Sequence, residues 1–168
     1  MFSIQQASAS NSIQKVVDLA NEIWVQHYEP IIGVNQVKYM LNKFQSYDAI
    51  IEQIADGQLY YLAEFNQVAA GYISLIPDVS EGKMMISKIY VKLSVRGNSI
   101  GKKMLKFVEH ECCKHKLNTL WLTVNRNNHD SISWYKSQGF EVACEVKKDI
   151  GNGYVMDDYV MEKQLDER

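Results

Sequence analysis

The sequence predicts an α/β (α+β) chain, a mixed central sheet of about seven strands with helices packed on it. Two observations carry this. Stretches of helical periodicity interleave with stretches rich in aromatic and β-branched residues, in the order strand, helices, three strands, helix, strand, helix, two strands. No repeat, low-complexity tract or linker divides the 168 residues, so they read as one domain, 1–168.

Residues 2–7 read as a short strand. From Ser12 the apolar positions Ile13, Val16, Val17, Ala20, Ile23 and Trp24 fall three and four apart, an amphipathic helix expected to fray before Pro30. Two shorter helices follow over 37–44 and 47–54. QLYYLAEF (58–65) and VAAGYISLI (68–76) read as strands joined by a tight hairpin at Asn66-Gln67. A strand over 83–92 leads to a helix over 101–115, whose stripe of Ile100, Met104, Val108 and Cys112 is four-spaced. Then come a strand at 120–124 and a helix at 130–137 closed by Gly139. Two strands, 140–146 and 154–163, meet across Gly151-Asn152-Gly153.

A net charge of −2, with 46% hydrophobic and 23% charged residues, argues against broad capture of nucleic acid. The apolar runs are too short for a bilayer and the N-terminus lacks a signal-peptide pattern, so a cytoplasmic chain with no membrane partner is expected. Cys112, Cys113 and Cys144 offer neither a disulfide framework nor a zinc spacing, and His110 and His129 have no partner spacing for a metal. No metal is expected.

The segment VRGNSIGKK (95–103) lies between the strand and the helix that follows it, where free N–H groups and a partial positive charge receive anions. Gly97 and Gly101 permit close approach of backbone to ligand. The Lys-Ser/Thr pair of a P-loop is missing, and G-x-G-x-x-G does not fit.

A second stretch, VNRNNHDSISWYKSQGF (124–140), supplies the context. Together the two resemble the GCN5-related N-acetyltransferases, whose loop pattern Q/R-x-x-G-x-G/A is matched by Arg96, Gly97, Asn98, Ser99, Ile100 and Gly101 after Ile89-Tyr90-Val91. The family's later pattern, N-x-x-A-I-x-x-Y-x-x-x-G-F, is matched by Asn128, Ile132, Tyr135, Gly139 and Phe140, with Ser131 in the alanine place. The resemblance runs from about residue 4 to 165. It implies a sheet splayed at an acetyl-CoA site, with helices on both faces. It also implies transfer of acetyl from acetyl-CoA to a primary amine by direct attack in a ternary complex. Arg96 to Lys102 would hold the pyrophosphate, the main chain of Ile89, Tyr90 and Val91 the pantetheine arm and thioester carbonyl, and Asn128 the arm as well, although asparagine there is also a natural helix cap. Tyr135 would protonate the departing sulfur. Ser99 stands where the family most often has a loop glycine; a helical backbone, harmless to serine, is the expectation.

Many relatives carry a glutamate where this chain has Met85, so the base is sought among Glu22, His27, Glu29 and Glu81, or in a water relay. The run IWVQHYEPIIGVNQVKYML resembles members grouped with bacterial polyamine acetyltransferases, which points to a small-molecule amine received by Trp24, Tyr28 and Glu29, with Tyr39, Asp157 and Asp158 as further candidates. The alternatives are a protein or peptide amine, or an acyl-CoA sensor without transfer. Frequent dimerisation of family members makes a second copy of the chain a candidate partner.

Overall fold

A computed structural model describes residues 1–166 of the protein. Its elements are β1 (Phe2–Gln6), α1 (Ser10–Ile32), α2 (Val34–Phe44), α3 (Tyr47–Ala55), β2 (Leu59–Phe65), β3 (Val68–Asp78), β4 (Lys83–Val91), α4 (Ile100–Lys114), β5 (Thr119–Asn125), α5 (His129–Ser137), β6 (Glu141–Gly151) and β7 (Tyr154–Gln164), with a 3₁₀ turn at Leu93–Val95. The strands form one sheet ordered β1-β2-β3-β4-β5-β7-β6. β4 and β5 run parallel while β1–β2, β2–β3, β5–β7 and β6–β7 are antiparallel, so the class is α/β with a mixed sheet. The parallel pair needs a crossover, and α4 provides it. Among the described residues no helix is long and apolar enough to cross a membrane.

The chain packs as two compact units, Met1–Ile76 with Ser87–Val108, and Pro77–Ile86 with the chain from Glu109 onward. In the first, α1 buries Ile13, Val16, Ala20 and Ile23, the face its spacing predicts. The helix does not stop at Pro30 but runs on to Ile32. Proline there removes one N–H in the last turn, a loss too small to end a helix whose other bonds stand, and termination falls to Gly33 at φ 87°, whose N–H bonds the Glu29 carbonyl at 2.9 Å. Ser46 caps α3 by accepting the Ala49 N–H at 3.2 Å. Asn66 and Gln67 both take positive φ, 52° and 68°, the backbone of a type I′ hairpin turn.

In the second unit β4 and β5 pair only from Lys83↔Thr119 to Met85↔Trp121, where their ladder ends. β5 and β7 pair over seven positions. β6 is longer than the sequence suggests, extending to Gly151 rather than residue 146. Nine consecutive residues of it are exposed, so the polar run Lys147-Lys148-Asp149 shows no buried alternation to mark it as strand, and its pairing with β7 alone sustains it. Ion pairs join Lys83 to Glu162 at 2.9 Å and Lys163 to Glu109 at 2.5 Å.

Candidate functional site

The loop expected to receive an anion belongs to the first unit. After the 3₁₀ turn the chain passes through Arg96, Gly97, Asn98 and Ser99, all exposed, into α4. Gly97 has φ 88° and a Cβ there would meet nothing within 4 Å, so its backbone faces open space. Ser99 also takes positive φ, 57°, which overturns the expectation of a helical serine. The left-handed backbone costs a non-glycine residue on the order of 1 kcal/mol and persists because it turns the chain into α4. The Ser99 carbonyl already accepts the Lys103 N–H at 3.1 Å, while among the described residues the N–H groups of 97–102 donate to no backbone acceptor outside the helix. That is a row of donors at a positive helix end. Asn98 braces the loop by donating to the Val95 carbonyl at 2.9 Å. The Lys103 ammonium lies 5.5 Å from the Phe2 ring, and Lys102 is exposed.

Upstream of the loop, Ile89, Tyr90 and Val91 are half-buried on β4. Their carbonyl side toward β3 is crowded: a Cβ at Gly71 would fall 2.4 Å from the Tyr90 oxygen, so only glycine fits opposite it. The Lys92 N–H donates to the Ala70 carbonyl at 2.7 Å. Trp24 and Tyr28, two of the acceptor candidates, meet on α1 with ring centroids 4.4 Å apart, and both lie edge-on to Tyr90 at 5.8 and 6.2 Å. The Trp24 indole N–H is buried beside the Tyr72 hydroxyl without closing a hydrogen bond of good geometry. Glu29 is half-buried on the last turn of α1, and His27 stands edge-on to Tyr28 at 4.8 Å.

Beneath this stretch lies a residue that the sequence did not single out. Lys88 is 6% exposed. Its ammonium donates to the Phe44 carbonyl and Gln53 Oε1, both at 2.9 Å, and to the Tyr60 hydroxyl. Burial pulls its pKa down to about 7. Burial likewise raises the Tyr60 and Tyr72 hydroxyls, which stay neutral. The sequence did hold a signal: Met84, Ile86 and Lys88 alternate on β4, and the first two are buried.

The second unit carries the later motif. Asn128 is 3% exposed and caps α5, its Oδ1 accepting the Ser131 N–H at 3.4 Å. Asn125 instead accepts the Asn127 N–H at 2.9 Å, so the competition for the cap is settled for Asn128. Tyr135 is half-buried on α5, 5.3 Å from the Trp134 ring and 5.6 Å from the buried Phe140. Asp157 is already engaged, 3.0 Å from Arg126 Nε without hydrogen-bond alignment and 4.0 Å from Lys147. Asp158 is 4% exposed, and burial pushes its carboxyl up to about 6 against the opposing pull of Thr123.

Of the base candidates, Glu22 is exposed and 3.5 Å from Lys92, and Glu81 is exposed in the β3–β4 turn with its N–H on Asp78. Met85 is half-buried in the ladder opposite Trp121.

The sequence profile of the Acetyltransferase (GNAT) family matches residues 16–140. An uncharacterised N-acetyltransferase in the pepI 3′ region of Lactobacillus delbrueckii subsp. lactis is 26% identical over 89 residues, and the match spans about half of each protein, 49% of this chain and 51% of that relative. The crystal structure of PaiA N-acetyltransferase from Thermoplasma acidophilum in complex with coenzyme A superposes with a TM-score of 0.80 at 22% identity, covering 98% and 99% of the two chains. That of the ribosomal-protein-S18-alanine N-acetyltransferase from Escherichia coli gives 0.73 at 17% identity, covering 98% and 94%. At such identities these two likenesses establish the fold.

Proposed function

We propose, since the chain belongs to the Acetyltransferase (GNAT) family, that it is an acetyl-CoA-dependent N-acetyltransferase acting on a primary amine of a small molecule. The observation that carries this is the loop ahead of α4, where Gly97 and Ser99 both take positive φ and, among the described residues, six N–H groups stand free of backbone acceptors outside the helix. Such a row fits a pyrophosphate. The coenzyme A held by the Thermoplasma relative supports the same ligand here.

In this reading acetyl-CoA supplies the acetyl group. The loop from Arg96 to Lys102 takes its phosphates. The main chain of Ile89, Tyr90 and Val91 pairs with the pantetheine arm and polarises the thioester carbonyl, the kind of fixed donor that lowers a barrier by a few kcal/mol. An ammonium with pKa near 10.4 is no nucleophile until it loses a proton, which leaves by water or by one of the carboxylates. As the nitrogen–carbon bond forms and the carbon–sulfur bond breaks, the Tyr135 hydroxyl gives its proton to the sulfur. Tyr28 and Tyr90, both half-buried and backed by the buried Trp24, form an aromatic wall suited to an alkylammonium. Asp157 stands 3.0 Å from Arg126, so an acceptor amine there would share the carboxylate with the guanidinium.

Calorimetric titration with acetyl-CoA, CoA and ATP, followed by an amine screen with thiol release as readout, tests the reading. Micromolar binding confined to the CoA compounds, with turnover on a small amine, is the expected result. Binding without turnover on any amine would leave an acyl-CoA sensor, and no binding would end both readings.

A further inference from the structure

We propose that Lys88 is a positioning residue for the acyl-CoA site: its ammonium, fastened at once to α2, α3 and β2, fixes the backbone of Ile89, Tyr90 and Val91. The inference rests on the reading above, in which that main chain meets the thioester arm.

A buried ammonium is costly, and an apolar side chain of similar shape is often as stable or more so. Among the described residues no carboxylate comes within ion-pair range of Lys88 to offset the cost. Nor is the lysine needed to satisfy its neighbours. Tyr60 donates to Gln53 Oε1 at 2.5 Å and Gln53 Nε2 donates to the Phe44 carbonyl at 3.0 Å, so these three remain bonded to one another without it. What the lysine adds is geometry. All three ammonium hydrogens are used, on the last residue of α2, the last turn of α3 and the start of β2. Three directional bonds to three elements fix Nζ, and the stem transmits that position to β4.

Lys88 immediately precedes the stretch in question. Just beyond the stretch the Lys92 N–H is bonded to Ala70, and within it the Tyr90 carbonyl lies against Gly71. The β4–β5 ladder, by contrast, has ended at Met85. Residues 89–91 are thus held by a side-chain clamp at one end and by β3 at the other.

The groups facing the ammonium are Tyr60 from β2, with Tyr72 of β3 beside it, and both are kept neutral by burial. From α2 and α3 come the Phe44 carbonyl and Gln53, with no charge. With its pKa near 7, Lys88 gives up one of its three donors as pH rises past neutrality, and the clamp loosens.

The test is acetyl-CoA affinity from pH 6 to 9, by calorimetry, for wild type, Lys88→Met and Gln53→Glu, with thermal unfolding as a control on folding. Lys88→Met is expected to melt no lower than wild type, to bind at least tenfold more weakly at pH 6.5, and to lack the fall in affinity that wild type shows on the alkaline side. Gln53→Glu sets a carboxylate against the ammonium and is expected to move that fall upward by at least one pH unit. If Lys88→Met does not fold, the Gln53→Glu profile decides. Lys88→Met binding within twofold of wild type, or a Gln53→Glu profile superimposable on it, would overturn the proposal. A wild type that binds no CoA compound defeats the functional reading first and this inference with it, whereas a binding wild type matched by Lys88→Met defeats the inference alone.

Discussion

Ser99 shows how one backbone angle changes the meaning of a residue. At φ 57° it pays a steric cost that glycine does not. Ser99→Gly should therefore raise the unfolding free energy by about 1 kcal/mol, read as a higher midpoint in urea with an unchanged slope, less whatever the extra freedom of the unfolded glycine removes. An unchanged or lower midpoint would mean that the loop holds the serine without strain. Tyr135 is a different kind of case, because its ring packs against Phe140 whether or not its hydroxyl is used. Tyr135→Phe keeps that packing, so the protein should fold and bind acetyl-CoA within about twofold of wild type while kcat falls by roughly 10²-fold or more. Unchanged turnover would remove Tyr135 from the acid role.

At the scale of elements the sensitive junction is β3 against β4. Gly71→Ala places a methyl 2.4 Å from the Tyr90 carbonyl oxygen, and backbone cannot step aside as a flexible side chain would. The cost should be about 1–3 kcal/mol in stability, the range for overpacking, accompanied by weaker acetyl-CoA binding because the displaced carbonyl belongs to the proposed arm-binding stretch. Stability lost with affinity intact would separate the junction from the site. β6 teaches the opposite lesson: exposed along nine residues and paired on one side, it is held by β7 rather than by burial.

For the whole molecule, two of the buried ionisable groups, Asp158 and Lys88, pull stability in opposite directions with pH. The Asp158 carboxyl, raised from an ordinary 3.8 to about 6, holds its proton in the fold where the unfolded chain releases it. Its contribution is complete below about pH 3.8 and is lost as pH rises through 6. Lys88, lowered from 10.5 to about 7, contributes stability above pH 10.5 and loses it as pH falls through 7. Both penalties are therefore in force between about pH 6 and 7. Asp158→Asn should exceed wild type in stability by about 1–2 kcal/mol at pH 7, solvent screening having trimmed the full linkage value, and the gap should close toward pH 4. Denaturant unfolding across that range measures it, and a gap that stays constant with pH would show that Asp158 is not the titrating group.

The sequence by itself determined the order of elements, the buried stripe of α1, the hairpin at Asn66-Gln67, and the two motifs at 96–101 and 128–140, because each is written in local periodicity or in fixed spacing along a few turns of chain. It misjudged Pro30, since the loss of one N–H near a helix end is outweighed by the remaining bonds. It missed the length of β6, since an edge strand exposed on nine successive residues leaves no alternating pattern. The sign of φ at Ser99 was closed to it, because serine is compatible with either backbone and the surrounding turn chooses. Only the tertiary structure decided the state of Lys88, whose partners lie 44, 35 and 28 residues away along the chain. Whether a lysine in a strand is a solvated surface charge or a buried clamp depends on which distant acceptors fold onto it, and no local pattern contains that information.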